Sequence, residues 1–194
     1  MADPADTPKD VFVSGYDSAP LAPDMNFALR DRYEDLQKGF EVLGKISGSK
    51  VHLGLKYGSS GVLDKITGVE KHTFKGPHPA GNVGVQIHHV DPVNKGEVVW
   101  TVNIQDVAVI GRFFNTGMVD MTRVVAVTGP EVVKPQYVSV IAGASIDTIA
   151  GHDAVKPQKN GDTVRLINGK DFVGGILTEN GVVVPLTKQD TILP

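Results

Sequence analysis

Cysteine is absent from this 194-residue sequence. Its absence excludes disulfides, thiolate nucleophiles, cysteine-based zinc sites and the usual ligands of iron–sulfur clusters. Long apolar runs are missing as well: the longest, such as residues 107–110, extend over only a few residues. A helix that spans a bilayer needs about 20 consecutive apolar residues, so the sequence predicts no transmembrane span.

A strong excess of charge of one sign is also lacking, since 19 Lys and Arg residues stand against 22 Asp and Glu residues. No run of Lys or Arg forms the basic stripe that nucleic-acid binding needs, so we do not expect nucleic acid as a partner. Residues 1–9 contain no basic segment followed by an apolar core. We expect them to be a flexible lead-in and not a secretory signal.

Short apolar strands alternate with helical patterns between residues 10 and 120. Strands are predicted at 11–13, 50–57, 69–74 and 98–102, and helices at 26–47, 62–66 and 103–116. The longest helix has apolar residues three and four positions apart, and its acidic residues are expected on a solvated face: Asp31, Glu34 and Asp35. This alternation is typical of a Rossmann-like three-layer α/β domain with a mostly parallel sheet.

The pattern changes after residue 120, where strand-like segments dominate. They lie at 123–127, 136–141, 163–167, 172–177 and 182–186, with one short helical candidate at 146–150. A small α+β fold with a single helix suits a β-grasp domain. We therefore expect an α/β domain over 10–120 and a β-grasp domain over 121–194.

Catalytic motifs are not recognisable in the sequence. There is no Gly-x-Ser-x-Gly nucleophile motif. Gly54, Gly58 and Gly61 match neither the dinucleotide fingerprint nor the phosphate-binding P-loop, so a tight turn is favoured over nucleotide binding. No catalytic residue is predicted.

Six histidines raise the question of a metal site. The adjacent His88 and His89 point in different directions on a helix or a strand, so they cannot both reach one ion. His78, Asp91 and one of that pair could converge on a metal. A metal-dependent hydrolase that uses His78, His88 and His89 is a further alternative. The spacings typical of metal motifs are missing, however, so no metal is predicted and buried or capping histidines are favoured.

Residues 76–91 form the segment that a generic fold does not explain. Rigid prolines, permissive glycines and three histidines predict an irregular loop that approaches a ligand or partner closely. The candidate ligand- or partner-facing residues share this segment: Gly76, Pro77, His78, Pro79, Gly81, His88 and His89. A structural crossover is the alternative.

Three segments in the same order resemble the A subunit of the bacterial sodium-translocating NADH:quinone oxidoreductase. They are Phe12 to Ala22, Thr73 to Gly81, and Arg123 to Val127 leading to Gly129-Pro130. The middle segment, with two prolines bracketing His78, is the most specific of the three. The match spans most of the chain.

This resemblance implies a soluble, peripheral subunit on the cytoplasmic side of the bacterial inner membrane. The six-subunit complex passes electrons from NADH to ubiquinone and exports sodium. The resemblance implies no covalent cofactor in this chain, ubiquinone as a substrate that could bind, and FMN, FAD and iron centres in the partner subunits B to F. Gly143-Ala144-Ser145 departs from the covalent-flavin signature of two sister subunits.

Residues 121–194 also resemble the soluble-ligand-binding β-grasp domain found in the flavin-bearing subunit of complex I and in an Rnf subunit. The resemblance rests on Val124 to Val127, Gly129-Pro130, Val138 to Ile141 and Gly143 to Ile146. Those relatives hold iron–sulfur clusters through cysteines, which this chain lacks. We therefore expect it not to carry electrons itself.

Members of the A-subunit family are considerably longer than this chain. The sequence is therefore expected to be a middle fragment of an accessory, non-catalytic subunit that docks and contributes to quinone binding. The alternative is a free-standing soluble ligand-binding β-grasp module outside any membrane complex.

Overall fold

The computed structural model describes residues 3, 5–19, 21–129, 131–145, 149, 175–177 and 183–185. Its strands are β1 (Asp10–Ser14), β2 (Lys50–Lys56), β3 (Glu70–Phe74), β4 (Val99–Asn103), β5 (Thr122–Val127), β6 (Gln136–Ile141), β7 (Gly175–Leu177) and β8 (Val183–Pro185). Its helices are α1 (Met25–Ala28), α2 (Tyr33–Ser47), α3 (Val83–Val90) and α4 (Ile104–Thr116), with a 3₁₀ turn at Leu63–Lys65. Among the described residues, none of the helices has the length and apolar character of a membrane span.

Two compact units make up the chain. One comprises Met1–Ser18 with Pro23–Thr122, and the other comprises Ala19–Ala22 with Arg123–Pro194. In the first unit, four strands pair in the order β3-β2-β1-β4, and all three pairings are parallel. The predicted α/β class with a mostly parallel sheet is confirmed.

The core of the first unit lies between the sheet and the helices α2 and α4. Val11 and Val13 of β1 point to this side, next to Val51 and Leu53 of β2, and all four are at most 5% exposed. Leu36 and Phe40 of α2 and Val107 of α4 complete the same cluster. Alternation along the strands sends Phe12, Ser14 and His52 to the opposite face.

The other face of the sheet is packed against α3. Gln86 of α3 is 2% exposed and its Nε2 donates a 2.9 Å hydrogen bond to Ser14 Oγ. The sheet is therefore covered on both faces, as parallel sheets require, and the expected three layers are present.

Helix ends follow local signals. Gly48 and Gly117 adopt left-handed conformations at the ends of α2 and α4, with φ of 64° and 74°. Asn103 caps α4 by accepting a 2.9 Å hydrogen bond from Gln105 N–H. These ends agree with the sequence pattern.

The single long helix predicted at 26–47 is wrong, because the structure contains two helices. Asp24 caps α1 at its start, and the residue that follows its end, Leu29, has φ −109° and ψ 11°, outside the helical region. A turn follows in which Arg32 N–H bonds to Leu29 C=O at 2.9 Å. Apolar spacing is retained across this break, and for this reason the pattern did not reveal it.

Asp35 also departs from expectation, since it is 8% exposed and not on a solvated face. Its Oδ2 lies 3.3 Å from Arg32 Nη1, and its Oδ1 accepts a 3.1 Å hydrogen bond from Asn115 Nδ2. Arg32 and Arg112 also contact Asp120, whose pKa falls to about 2 because it accepts hydrogen bonds from Thr122 and faces Arg32. This ionic junction joins α2 to α4.

Replacing Asp35 with alanine should lower the free energy of unfolding by about 2 kcal/mol, because Asn115 and Arg32 lose a buried acceptor. The 3.6 Å contact of Asp35 Oδ2 with Arg112 Nη1 is lost as well. Urea denaturation measures the change. Glu34→Ala, on the exposed side of the same helical turn, should alter stability by less than about 0.5 kcal/mol. Equal effects of the two substitutions would contradict the junction.

In the second unit, β5 pairs with β6, and β7 pairs with β8 antiparallel. Strands predicted at 123–127 and 136–141 are confirmed, and β7 and β8 lie within those predicted at 172–177 and 182–186. The strand predicted at 163–167 lies outside the described residues, as does most of the helical candidate at 146–150.

Candidate functional site

The loop between β3 and α3 lies at the carboxyl end of the parallel sheet, where ligands bind in open α/β folds. Pro77, His78 and Pro79 are exposed, whereas Gly81 is buried against the end of β1. The peptide bond between His78 and Pro79 is cis. The loop thus has an exposed tip and an anchored base.

Ser18 anchors the loop through its hydroxyl group. Gly81 N–H donates a 2.7 Å hydrogen bond to Ser18 Oγ, and the same oxygen lies 3.1 Å from His78 Nδ1. When the hydroxyl donates to Nδ1, the imidazole proton resides on Nε2. His78 then presents an N–H donor at the exposed tip.

Ser14 and Gln86 hold the loop from below. Gln86 Nε2 donates to Ser14 Oγ, which lies 2.8 Å from Tyr16 C=O and 3.2 Å from Gly81 C=O. Tyr16 also donates from its hydroxyl to Gly76 C=O at 3.4 Å. The contacts reach both ends of the loop, so its backbone is fixed by the end of β1.

Two glycines permit this close packing. A Cβ at Gly81 would lie 2.4 Å from Ser18 N, and a Cβ at Gly54 would lie 2.2 Å from Gln86 Oε1. Gly54 therefore makes room for the buried Gln86 side chain. The Gly58 to Gly61 turn leads only to the three-residue 3₁₀ turn, which is too short to offer a phosphate a helix N-terminus.

The prediction that residues 76–91 form one irregular loop is wrong in its second half. Asn82 accepts a 2.9 Å hydrogen bond from Gly84 N–H and caps α3, which includes His88 and His89. Both histidines are exposed, with ring centroids 5.5 Å apart and an angle of 68° between the ring planes. They follow the anchored loop on a rigid helix.

The convergence considered for His78, Asp91 and one of the adjacent histidines is wrong. Asp91 lies 2.6 Å from Lys9 Nζ, and His78 contacts Ser18. Within the described part of the chain, the group able to hold a metal ion is His52, Glu70 and His72. Sequence reasoning missed this group because its residues are brought together by strand pairing.

His52 and His72 form a close pair on the face of the sheet opposite α2. His52 Nδ1 lies 2.9 Å from His72 Nε2, and Phe12 stacks on the His52 ring at 4.5 Å. Burial and the neighbouring His52 lower the pKa of His72. Gln86 was also missed, because a glutamine within an apolar helix gives no signal of its partner.

Two family models match the sequence in consecutive segments. The model described as the NqrA second alpha/beta domain matches residues 1–119, and the model described as the NQRA C-terminal domain matches residues 124–178. The first match alone covers more than half of the chain.

Relatives at 35–40% identity are named as the A subunit of the Na(+)-translocating NADH-quinone reductase. The protein of Pseudomonas aeruginosa is 40% identical over 90% of this chain, and that of Neisseria meningitidis serogroup B is 35% identical over 87%. The protein of Rhodopirellula baltica is 36% identical over 88%. The chain spans 37–38% of the length of these relatives.

Among solved structures, a crystal structure of an NAD+-reducing [NiFe]-hydrogenase is similar in fold. The TM-score is 0.56 at 15% sequence identity, and the match covers 80% of this chain and 33% of that chain. At this identity the likeness concerns the fold alone.

Proposed function

The chain belongs to the NqrA family, and on that basis we propose that it acts as the corresponding segment of NqrA in a Na(+)-translocating NADH-quinone reductase. The observation that carries the proposal is the ordered match of two NqrA domain models over 1–119 and 124–178. Relatives at 35–40% identity bear the name of that complex. In this proposal the assembled complex couples NADH oxidation and quinone reduction to sodium transport.

We assign the chain an accessory role within that complex. In this proposal it docks peripherally on the cytoplasmic side of the membrane, against partners among subunits B to F that carry FMN, FAD and iron centres. Exposed apolar side chains at the end of α4 suit such docking: Phe113, Phe114, Met118 and Val119 are 42–68% exposed.

The loop Gly76 to Gly81 is the proposed quinone-facing surface. Quinone carbonyl oxygens accept hydrogen bonds, and the His78 imidazole can donate one when Ser18 holds its Nδ1. Pro77 and Pro79 offer rigid apolar surface beside that donor. Because the loop is anchored at Gly81, little ordering entropy is lost when a ligand binds.

His88 and His89 extend this surface onto the exposed side of α3. They are the remaining members of the proposed site, and both offer polar groups on a helix that begins directly after the loop. A quinone headgroup has two carbonyl oxygens, and each can accept a hydrogen bond. In this proposal His88 and His89 offer further donors on α3 beside the one at His78.

An assay of the assembled complex tests the proposal. The full-length NqrA protein carrying His78→Ala should lower ubiquinone reduction about tenfold, as expected for loss of one hydrogen bond worth about 1.4 kcal/mol. NADH oxidation with an artificial electron acceptor and co-purification with the other subunits should stay unchanged. These two readouts separate a quinone defect from an assembly defect.

Lys45→Ala provides the matched control, because Lys45 is exposed on α2, which packs on the opposite face of the sheet. It should leave both activities unchanged. Full ubiquinone reduction by the His78→Ala complex would refute the quinone-facing loop. Failure of the wild-type protein to co-purify with any membrane subunit would support the free-standing module, which the comparisons do not favour.

A further inference from the structure

His52, His72 and Glu70 bring three metal-ligand atoms together on one face of the sheet. Pairing of β2 with β3 places Glu70 beside His52, and His72 follows two residues later on the same face. His52 Nδ1 lies 2.9 Å from His72 Nε2 and 3.6 Å from Glu70 Oε2. The ligand atoms all lie within 4.8 Å of one another.

The Asp10 carboxylate lies beside the buried His52 ring. Asp10 Oδ1 lies 3.3 Å from His52 Nε2, and both side chains are at most 6% exposed. The approach misses hydrogen-bond geometry, so Nε2 is buried without a hydrogen bond. A carboxylate at that distance still favours the tautomer protonated at Nε2. This tautomer leaves the lone pair of Nδ1 facing His72 and Glu70.

The Glu70 carboxylate is positioned by the exposed side chain of Lys50. Lys50 Nζ lies 2.9 Å from Oε1 of the Glu70 carboxylate, whereas Oε2 is the oxygen that faces His52. Each of these two groups thus has a charged partner on the side away from the centre of the cluster. Such outer partners typically orient the ligands of metal sites.

We propose that His52 Nδ1, His72 Nε2 and a Glu70 carboxylate oxygen bind one divalent transition-metal ion of the zinc class. Two imidazoles and one carboxylate suit Zn²⁺, whereas Mg²⁺ and Ca²⁺ prefer all-oxygen sites. Metal–nitrogen bonds of about 2.0–2.1 Å at tetrahedral angles place ligand atoms about 3.3 Å apart. The separations of 2.9 and 3.6 Å bracket that value.

The ion would tie an edge strand to the interior of the sheet, since β3 is terminal in the order β3-β2-β1-β4. Glu70 is 46% exposed, so solvent can reach the cluster and supply a fourth ligand. His52 lies in the first half of β2 and pairs with Glu70 at the start of β3, whereas the Gly76 to Gly81 loop follows the end of β3. The metal proposal is therefore independent of the quinone proposal.

Titration of the untagged, chelator-treated chain with zinc chloride tests the site. Calorimetry should show one Zn²⁺ per chain, and Co²⁺ should give the visible absorption of a tetrahedral complex. His72→Ala and Glu70→Gln should each weaken binding at least about tenfold, and Asp10→Asn should weaken it about 10- to 100-fold through its effect on His52. Circular dichroism checks that each variant is folded.

The double variant His88→Ala/His89→Ala provides the control, because it removes the exposed histidine pair of α3. It should bind Zn²⁺ as tightly as the wild type. The proposal would be overturned by weak or absent binding to the wild type, by loss of binding in this control, or by unchanged affinity in folded His72→Ala and Glu70→Gln.

Discussion

Replacing Gly39 with alanine should lower the free energy of unfolding by about 3 kcal/mol or more, the upper range for overpacking. Gly39 lies where α2 crosses α4, and a Cβ there would come 2.1 Å from the Val107 carbonyl oxygen and 2.9 Å from its carbonyl carbon. Both of these Val107 atoms belong to the backbone, so the steric clash can be relieved only if α2 and α4 move apart. Gly111 faces the same contact, with a virtual Cβ only 1.7 Å from Asp35 C=O.

Gly44→Ala is the matched control within the same helix. A Cβ at Gly44 meets only Val51 Cγ2, at 3.8 Å, so the substitution should stabilise the protein by up to about 1 kcal/mol through helix propensity. Urea denaturation followed by circular dichroism measures both variants. If Gly39→Ala were as stable as Gly44→Ala, the close crossing of α2 and α4 would be incorrect.

Replacing Gly81 with alanine should release the candidate loop from the end of β1. The added Cβ would lie 2.4 Å from Ser18 N and 2.7 Å from Tyr16 C=O, and again both are backbone atoms. We expect a loss of about 2 kcal/mol of stability, in the overpacking range. The Ser18 contacts with Gly81 and His78 should be lost as well.

Amide hydrogen exchange measures the release of the loop. The Gly81 amide is protected by Ser18 Oγ at 2.7 Å, and the amide at this position should exchange much faster in the Gly81→Ala variant. Gly84→Ala is the control, since a Cβ there meets only Asn82 Oδ1 at 3.4 Å. Retained protection in Gly81→Ala would show that the loop is not anchored as described.

Elements governed by neighbouring residues could be predicted from the sequence. The four parallel strands of the first unit follow from short β-branched runs, and the ends of α2 and α4 follow from Gly48 and Gly117. The start of α4 follows from Asn103, whose side chain needs only the backbone two residues ahead. These signals depend on residues that are close in sequence, so they can be recognised without knowing the fold.

Elements that depend on tertiary contacts could not be predicted in this way. The sequence pattern predicts a surface position for Asp35. Only the folded structure places Asn115, eighty positions away, beside it. The pairing of His52 with His72 requires the register of β2 against β3, which no spacing along the chain specifies. Helix α3 was hidden because its apolar stretch is short and follows a loop rich in proline and glycine.

The candidate loop was predictable only in part. Its composition singled out Gly76 to Gly81, because two prolines and two glycines in six residues restrict and bend the backbone. Its anchoring by Ser14, Ser18 and Gln86 depends on the folded sheet. The exposed residues were therefore predictable, whereas the residues that position them were not.

An NMR titration of the isotope-labelled chain with a short-chain, water-soluble ubiquinone tests the quinone-facing surface most directly. Backbone amide shifts report the place of binding and the affinity together. We predict saturable shifts clustered on Gly76 to Val90, and their loss in Gly81→Ala but not in Gly84→Ala. Absence of shifts in that segment, or saturable shifts confined to α2 on the opposite face, would contradict a quinone-facing loop.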